Sequence, residues 1–294
     1  MVLVRADASS TIGTGHIMRD LVLAKEFDEV VFVTQNLQGN CNQLIEQNNY
    51  RYHTLSNNDY ETFSLVIQKY NPHTIVLDHY SIGYEFEKKL KEEYPKIKLF
   101  VLDDTYKKHY CDTLYNHNIF AKKEHYTSLV PPWCKVVCAK TLLRDEFYLA
   151  KKQPKNTKDF RVLVAMGGAD TANLSPKVAL VLQQFNCNID VVTTSSNTHL
   201  KELQSIKNIT LHVNTKNIAM LMRQSSLAVV TPSVILNEVF FMELDFIAIE
   251  AAENQQTMAG YLKENSHDVL KNSNSVQKEL KNLLIKHGLK LKNN

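Results

Sequence analysis

The chain has 294 residues, of which 44% are hydrophobic and 22% charged, and its formal net charge is +3. This composition is typical of a globular protein and excludes a disordered or fibrous chain, while the length suits two domains of ~140 residues. The small charge does not indicate a nucleic-acid partner, and no apolar run reaches the ~20 residues of a membrane span. The sequence also begins without a secretory signal, so we expect a cytoplasmic protein with neither nucleic acid nor membrane as a partner.

Cysteine and histidine residues show no metal-binding spacing. The five cysteines are scattered without a Cys-x-x-Cys pair, and the eleven histidines lack a His-Glu-x-x-His arrangement. We therefore expect free thiols in a reducing compartment, no protein-bound metal and no other cofactor.

The chain opens with an apolar run followed by a glycine-containing turn. Residues 2–4 predict a buried strand, and Gly13-Thr-Gly15-His16 predicts a turn that leads into a helix. The two glycines allow a tight bend and a close approach to a ligand, and the helix start adds unpaired N–H groups. An imidazole at this junction can accept a proton near neutral pH, so His16 is the leading candidate for a general base. A histidine there can also serve only to cap the helix or to pack.

Short β-branched and aliphatic runs recur along the chain, with helix-length stretches between them. The predicted strands are residues 2–4, 30–33, 74–77, 99–102, 136–137, 160–164, 189–192, 209–211, 227–230 and 246–249, and predicted helices include 84–94, 175–185, 217–225 and 233–242. Continuous apolar strands are expected in parallel sheets that helices cover on both faces. The pattern predicts an α/β chain of two doubly wound Rossmann-like domains facing a cleft.

The polar, charged and proline-interrupted stretch 151–158 is the predicted linker. It separates an N-terminal domain, residues 1–150, which carries the histidine loop, from a C-terminal domain, residues 158–294. The lysine- and asparagine-rich end of the second domain could be an extra helix or a tail.

Polar residues follow several predicted strands at their carboxyl ends, where doubly wound sheets bind ligands. Asp7 follows the first strand, and Asp78-His-Tyr80 follows the third. Tyr80 could offer its hydroxyl to a substrate or could be a buried phenol with a satisfied partner. We interpret the pair Asp103-Asp104, after the fourth strand, as structural.

The second half of the chain repeats the strand-and-glycine pattern and predicts a nucleotide site. The backbone amides of Gly167-Gly168 can surround a phosphate. Ser233 is a predicted N-cap, and the amides after it could bind a diphosphate. One turn further on, Glu238 could hold ribose hydroxyls. For Ser233 and Glu238 the alternative is a local role, as a cap or as a charge that the helix dipole favours.

A series of further motifs accompanies these features along residues 1 to about 262. They are Arg5-Ala-Asp7, Gly13-Thr-Gly-His-Ile-Met-Arg19, Asp78-His-Tyr80, Leu143-Arg-Asp-Glu-Phe147, Met166-Gly-Gly-Ala-Asp170, Leu236-Asn-Glu238 and Glu253-Asn-Gln255. In this combination the chain resembles the UDP-sugar hydrolases of pseudaminic acid biosynthesis. More remotely, it is similar to the N-acetylglucosaminyltransferase of peptidoglycan synthesis, which has a glycosyltransferase-B fold.

The resemblance implies the same fold and hydrolysis of the bond between UDP and the anomeric carbon of a diacetamido-trideoxy altrose, without a metal. It implies that His16 accepts the proton of water and that Tyr80, Arg144, Asn237 and Asn254 contact the substrate or assist the chemistry. Arg144 could neutralise phosphate or could pair with its acidic neighbours, and Asn237 could simply face solvent.

Two other functions stay open at this point. The chain could be a UDP-sugar-dependent glycosyltransferase, or it could bind a UDP-sugar without catalysis. In the hydrolase interpretation we expect a monomer whose partners are the UDP-sugar and water.

Overall fold

The computed structural model describes residues 1–155 and 158–292. The chain divides into two compact units, Met1–Leu143 and Arg144–Asn294. The predicted linker includes residues 156 and 157, which lie outside the described residues. The division falls before it because the helix Asp145–Lys151 buries Phe147 and Ala150 and packs on two helices of the second unit.

The first unit is an α/β unit around one parallel sheet of seven strands, all within its described residues. The strands are β1 (Val2–Ala6), β2 (Val30–Gln35), β3 (Arg51–Leu55), β4 (Thr74–Asp78), β5 (Lys98–Leu102), β6 (Thr113–Asn116) and β7 (Lys135–Cys138). Their order in the sheet is β3-β2-β1-β4-β5-β6-β7. The helices are α1 (Gly15–Leu23), α2 (Asn42–Gln47), α3 (Tyr60–Tyr70) and α4 (Tyr84–Glu93), with short 3-10 helices at Ala24–Glu26 and Lys123–Tyr126.

The second unit has the same plan, with a parallel sheet of six strands in its described part. The strands are β8 (Arg161–Ala165), β9 (Asn188–Thr193), β10 (Thr210–Val213), β11 (Leu227–Val230), β12 (Phe246–Glu250) and β13 (Val269–Lys271), in the order β10-β9-β8-β11-β12-β13. The helices are α5 (Asp145–Lys151), α6 (Leu174–Leu182), α7 (Leu200–Ser205), α8 (Ile218–Gln224), α9 (Ile235–Met242), α10 (Gln256–Glu264) and α11 (Val276–Lys286), with a 3-10 helix at Glu253–Gln255.

The central strands are apolar throughout because both faces of each sheet are covered. In β1, Leu3 belongs to one hydrophobic cluster, whereas Val2 and Val4 belong to the cluster on the opposite face. Alternate side chains of one strand therefore enter two cores, as expected of a parallel sheet between helix layers. At the end of the chain, α11 buries Leu280 and Leu284 against the second unit's core, so this stretch is a packed helix. No described helix has the length and apolarity that crossing a bilayer requires.

Each sheet has a switch point next to the first strand of its unit. The next two strands in the chain lie on one side of that first strand, and the later strands lie on its other side. In the first unit this point lies between β1 and β4, where Ala6 is in register with Asp78. In the second it lies between β8 and β11, where Ala165 is in register with Val230. The carboxyl ends of strands at such points form ligand-binding crevices. Each unit thus brings the residues after its two central strands together.

Candidate active site

His16 is buried at the start of α1 and is paired with the last residue of β4. Its Nδ1 lies 2.7 Å from Oδ1 of Asp78, and only 5% of the residue is exposed. A ring nitrogen that donates its proton to a carboxylate leaves the other nitrogen, Nε2, as the proton acceptor. His16 also lines an open pocket of about 320 Å³. Asp78 therefore orients the imidazole through Nδ1, and the ring remains available to a ligand in the pocket.

Asp78 is held in its charged form by Arg19, one turn beyond His16 on α1. Nε of Arg19 donates to Oδ2 of Asp78 over 2.6 Å, and a second N–H of the guanidinium reaches Oδ1. Burial alone would raise the pKa of Asp78, but the charges of Arg19 and His16 hold that pKa well below its usual range. Asp78 is thus a permanent anion that can stabilise an imidazolium.

Tyr80 packs its ring against His16 and directs its hydroxyl at Asp104. The two ring centroids are 4.7 Å apart in an edge-on arrangement, and the hydroxyl donates to Oδ2 of Asp104 over 3.1 Å. The same oxygen accepts from Nη1 of Arg19 over 3.0 Å. Burial and the charge of Asp104 raise the pKa of Tyr80, so its hydroxyl stays protonated.

The two members of the pair Asp103-Asp104, which we interpret as structural, lie in different surroundings. Asp103 does fit that interpretation, because its carboxylate accepts hydrogen bonds from Thr105 and from the Tyr126 hydroxyl. Asp104, one residue further from β5, accepts hydrogen bonds from Arg19 and Tyr80 in the cluster around His16. In the sequence, Asp104 follows β5, the strand that pairs with β4. This position indicates that Asp104 can lie near the residues that follow β4.

A second buried ion pair lies beside the same pocket, which its Asp7 carboxylate lines. The guanidinium of Arg5 donates to both oxygens of Asp7 over 2.8 and 2.7 Å. Nε2 of His79 donates to Asp7 over 3.0 Å, while its Nδ1 accepts from the backbone N–H of Ser81. Although burial would raise the pKa of Asp7, hydrogen bonds from His79 and Arg5 hold that pKa well below its usual range.

The loop that precedes α1 uses its two glycines differently. Gly13 has a φ of +81° and exchanges backbone hydrogen bonds with Ser9, which closes the turn. A side chain at this φ would be strained. Gly15 is the first residue of α1, and the preceding Thr14 makes no side-chain cap. The start of α1 thus carries His16 without a capping side chain.

Two further titratable groups near His16 have pKa values that are shifted toward their neutral forms. Asp20 is completely buried, and burial followed by the charge of Asp78 raises its pKa well above the usual range. Burial together with the charge of Arg19 lowers the pKa of His117 to about 3. In the same cluster, the pKa shifts of Asp78 and Arg19 favour their charged forms.

In the second unit, Gly167 and Gly168 follow β8 directly. Gly167 has a φ of +89°, and a Cβ on Gly168 would lie 2.9 Å from Cγ2 of Thr194. The backbone at Gly167 therefore favours glycine, and a side chain at Gly168 would force the turn or the Thr194 side chain to shift. Asp170 accepts hydrogen bonds from the backbone N–H groups of Leu174 and of the next residue, over 2.9 and 2.8 Å. The start of α6 is thus capped by this carboxylate.

The start of α9 has no side-chain cap, which corrects the prediction for Ser233. The helix begins at Ile235, and Val234 occupies the capping position. A tight turn, in which the N–H of Ser233 donates to the carbonyl of Thr231, keeps Ser233 one residue too early, and its hydroxyl pairs with the Thr231 hydroxyl at 3.1 Å. The first amides of α9 are therefore not blocked by a side chain of their own helix.

Arg144 and Glu238 form an ion pair within the second unit. Nη2 of Arg144 lies 3.2 Å from Oε1 of Glu238, and Nη1 lies 2.7 Å from the neighbouring Glu146. Burial raises the pKa of Glu238 to about 7, against the opposing charge of Arg144. Asn237 is 2% exposed and so does not face solvent, whereas Asn254 is exposed in the 3-10 helix after β12.

The structure thus gathers the predicted residues into two groups. His16 and Tyr80 lie together in the first unit, and Arg144 and Glu238 lie together in the second. The glycine turn after β8 and the loop with Ser233 follow adjacent strands of one sheet. In the described part of the chain, no three His, Cys, Asp or Glu residues are grouped so as to hold a metal ion.

Known proteins resemble this chain in sequence and in three-dimensional structure. No protein-family profile matches the chain. The chain is 38% identical over 275 residues to the UDP-2,4-diacetamido-2,4,6-trideoxy-β-L-altropyranose hydrolase of Campylobacter jejuni, covering 91% of this chain and 98% of that protein. In three dimensions it resembles MurG of Acinetobacter baumannii, with a TM-score of 0.65, 12% identity and 97% and 90% of the two chains covered. It also resembles the spinosyn rhamnosyltransferase SpnG, with a TM-score of 0.70, 9% identity and coverages of 97% and 91%. These structures confirm the expected glycosyltransferase-B fold.

Proposed function

Because the chain belongs to the UDP-2,4-diacetamido-2,4,6-trideoxy-β-L-altropyranose hydrolase family, we propose that it cleaves the bond between UDP and the anomeric carbon of this sugar nucleotide. Water is the second substrate, and the products are UDP and the free sugar with inverted configuration. The observation that carries this proposal is the pairing of His16 with a charged Asp78 beside an open pocket.

His16 is the general base of the proposed reaction. Its Nε2 takes a proton from water while the water oxygen bonds to the anomeric carbon. The bond from this carbon to the UDP oxygen breaks on the opposite face, and its electron pair leaves with the diphosphate. Asp78 favours the tautomer with a free Nε2 and stabilises the imidazolium that forms, since it accepts the Nδ1 proton at 2.7 Å.

Tyr80 is the second residue that we assign to the chemistry. Its ring edge holds one side of the His16 imidazole, and its protonated hydroxyl is a hydrogen-bond donor. Because 47% of the residue is exposed, the phenol can also reach a ligand in the pocket that both rings line. We propose that Tyr80 positions His16 and contacts the sugar, and that Gly13 and Gly15 let the backbone of the same loop approach the substrate.

UDP recognition belongs to the second unit in this proposal. The uncapped start of α9, next to Ser233, supports binding of the diphosphate, because its first N–H groups and the helix dipole favour an anion. The turn at Gly167 and Gly168 offers further amides. Glu238 would hold the ribose hydroxyls, with Arg144 orienting its carboxylate at 3.2 Å.

We also assign the two asparagines, Asn237 and Asn254, to substrate binding. Asn237 precedes Glu238 on α9, and Asn254 stands after β12, the strand that pairs with β11. Both therefore lie near the carboxyl edge that carries the proposed diphosphate site.

Product analysis tests the function directly. The purified protein, UDP-linked diacetamido altrose and ¹⁸O-labelled water should yield UDP and a free sugar that carries the label at the anomeric carbon, with or without a chelator. A glycosyltransferase would need an acceptor other than water, and a binding protein would saturate without turnover. Release of sugar with the label in UDP, or no release from the full-length protein, would contradict the proposal.

We also propose that the protein acts as a monomer in the cytoplasm, without nucleic acid. The five free thiols of the described chain suit a reducing compartment, and a net charge of +3 gives little attraction for nucleic acid. Light scattering after size-exclusion chromatography should give the mass of one chain, and twice that mass would contradict the monomer.

A further inference from the structure

Beside the polar and charged residues of the cluster, the pocket at His16 is lined by apolar and carboxamide side chains. Ile12 and Leu37 contribute apolar surface, and Gln35 and Asn58 contribute carboxamides. From this combination we propose that the pocket is the subsite for one acetamido substituent of the sugar. The proposal rests on the proposed hydrolase function, and it assigns substrate selectivity to residues outside the chemistry.

The Asn58 carboxamide is fixed by its contact with Arg5. Its Oδ1 accepts a hydrogen bond from the Arg5 guanidinium, which leaves Nδ2 as the free donor of the amide. In the described chain, no residue accepts from this Nδ2. An acetamido carbonyl is the matching acceptor.

Gln35 stands at the end of β2 and supplies the complementary group. Its backbone N–H donates to Asp7 over 2.6 Å, which fixes the residue at the pocket wall. Its side chain makes no hydrogen bond with any described residue and keeps both a donor and an acceptor. The Gln35 oxygen can therefore accept from the N–H of the same acetamido group.

The charge of the pocket excludes the diphosphate as its occupant. None of the described lining residues is Lys or Arg. The nearby Arg5 guanidinium is saturated by Asp7, Asn58 and the carbonyl of Val33, and only 1% of the residue is exposed. An anion would meet the carboxylates of Asp7 and Asp78 without a free cation. A neutral group that has one donor, one acceptor and a methyl fits this surface best.

The apolar residues fit the methyl end of such a group. Ile12 lies in the glycine loop before α1, with 37% of its surface exposed, and Leu37 follows β2. Burial of one methyl group is worth about fourfold in binding, whereas loss of a paired hydrogen bond in a built site costs more. The subsite should therefore discriminate strongly against a hydroxyl and moderately against a longer acyl chain.

An enlarged pocket tests the apolar contact. Two substrate analogues carry a propionamido group in place of one acetamido group, at the C2 or the C4 position of the sugar. The wild type should lose about tenfold or more in kcat/KM with one analogue, and Leu37→Ala should regain most of that loss. Leu65→Ala, at a leucine that is 66% exposed on α3, is the matched control and should behave as the wild type. Equal use of both analogues by the wild type, or no gain in Leu37→Ala, would overturn the proposal.

The polar contact is tested at Gln35, which takes no part in the chemistry. Gln35→Ala should raise KM for the authentic substrate about tenfold with little change in kcat. The same substitution should have no effect on the analogue in which the recognised acetamido group is replaced by a hydroxyl. A fall in kcat with unchanged KM, or an equal effect on both substrates, would argue against recognition by this side chain.

A binding measurement separates this proposal from the hydrolase function. Methyl-labelled protein is titrated with the free diacetamido sugar and with its diamino counterpart, and the Ile12 and Leu37 methyl resonances are followed by NMR. Only the acetylated sugar should shift them. Shifts without any turnover of the UDP-sugar would support the subsite and refute the hydrolase, whereas turnover without such shifts would refute the subsite alone.

Discussion

His16 is oriented through one ring nitrogen and acts, in our proposal, through the other. His16→Ala should therefore remove the general base and lower kcat by about 10²- to 10⁴-fold. Its affinity for UDP, measured by calorimetry, should stay unchanged because we assign UDP binding to the second unit. A variant that hydrolyses the authentic substrate at a near-normal rate would exclude His16 from this role.

Asp78→Asn tests whether His16 needs an anionic partner. The amide cannot stabilise the imidazolium and leaves the buried Arg19 without its anion, so we expect a loss of about 10²-fold or more in kcat and about 3–5 kcal/mol in the free energy of unfolding. Steady-state kinetics and urea denaturation measure the two effects. Asp28→Asn, at an exposed aspartate of the same unit, is the control for the loss of one charge. Normal kinetics in Asp78→Asn would show that His16 needs no anionic partner.

Glu238 should make UDP binding depend on pH. Since burial raises the pKa of Glu238 to about 7, its carboxylate is mostly protonated at about pH 6 and mostly ionised at about pH 8. The ionised form accepts two ribose hydrogen bonds, so affinity for UDP should rise several-fold over this range, and Glu238→Gln should remove that rise. The terminal phosphate also titrates near pH ~6, so the readout is the difference between the two proteins. Parallel pH profiles would contradict a role for the carboxylate.

Elements with continuous apolar runs are predictable from the sequence, and those without them are not. β1 and β4 are buried along their whole length, and their residue patterns predict them directly. β3 reads Arg-Tyr-His-Thr-Leu and β13 has three residues; both are edge strands that bury little, so their sequences carry little apolar signal. β6 is internal, but only four residues of mixed polarity form it.

The site is predictable only where local sequence decides it. The glycine turn at a helix start marks His16 as a candidate, and the place of Tyr80 after an apolar strand, together with the family resemblance, marks Tyr80. The ion pair of Arg144 with Glu238 joins residues 94 positions apart, and a sequence pattern does not encode such a distance. Asp104 entered the site through the same kind of long-range pairing, with Arg19.

The turn between β8 and α6 should tolerate no side chain at Gly168. In Gly168→Ala the new Cβ would lie 2.9 Å from Cγ2 of Thr194, so the turn or the Thr194 side chain must shift. We expect a loss of about 1–3 kcal/mol in the free energy of unfolding and weaker UDP binding. Calorimetry and urea denaturation report both.

Two companion variants make this prediction specific. Gly260→Ala is the control, because nothing lies within 4 Å of its Cβ, and Ala in a helix should be neutral or slightly stabilising. Adding Thr194→Ala to Gly168→Ala should restore part of the loss by removing the clash. If Gly168→Ala binds UDP and unfolds like the wild type, the close approach at this turn has no consequence.

At the scale of the whole molecule, stability should depend on pH through buried charges of the first unit. Nδ1 of His109 lies 2.7 Å from the fully buried Glu87 of α4, and Nε2 lies 3.7 Å from Asp103. Burial alone would lower the pKa of His109, but the two carboxylates raise it to about 9. This network ties α4 to the segment after β5. In the folded unit His109 therefore carries a proton at neutral pH.

The sign of the effect follows from the raised pKa of His109. The folded chain keeps its proton up to about pH 9, while the unfolded chain loses it near ~6.5, so the stabilisation is complete below ~6.5 and disappears as pH rises through 9. The loss should be on the order of 3 kcal/mol. At the acid end, Asp103, whose pKa is lowered to about 2, contributes stability that is lost as pH falls from ~4 toward that value.

Urea denaturation at a series of pH values measures this dependence. His109→Gln removes the titrating group, so its stability should be lower near pH ~6 and should change much less between ~6.5 and 9 than that of the wild type. His125→Gln, at an exposed histidine of the same unit, should leave the wild-type slope intact. Since the raised pKa of Glu238 acts between ~4.5 and 7, it does not account for a decline above that range. Wild-type stability that stays constant from ~6.5 to 9 would mean that His109 carries no charge in the folded protein.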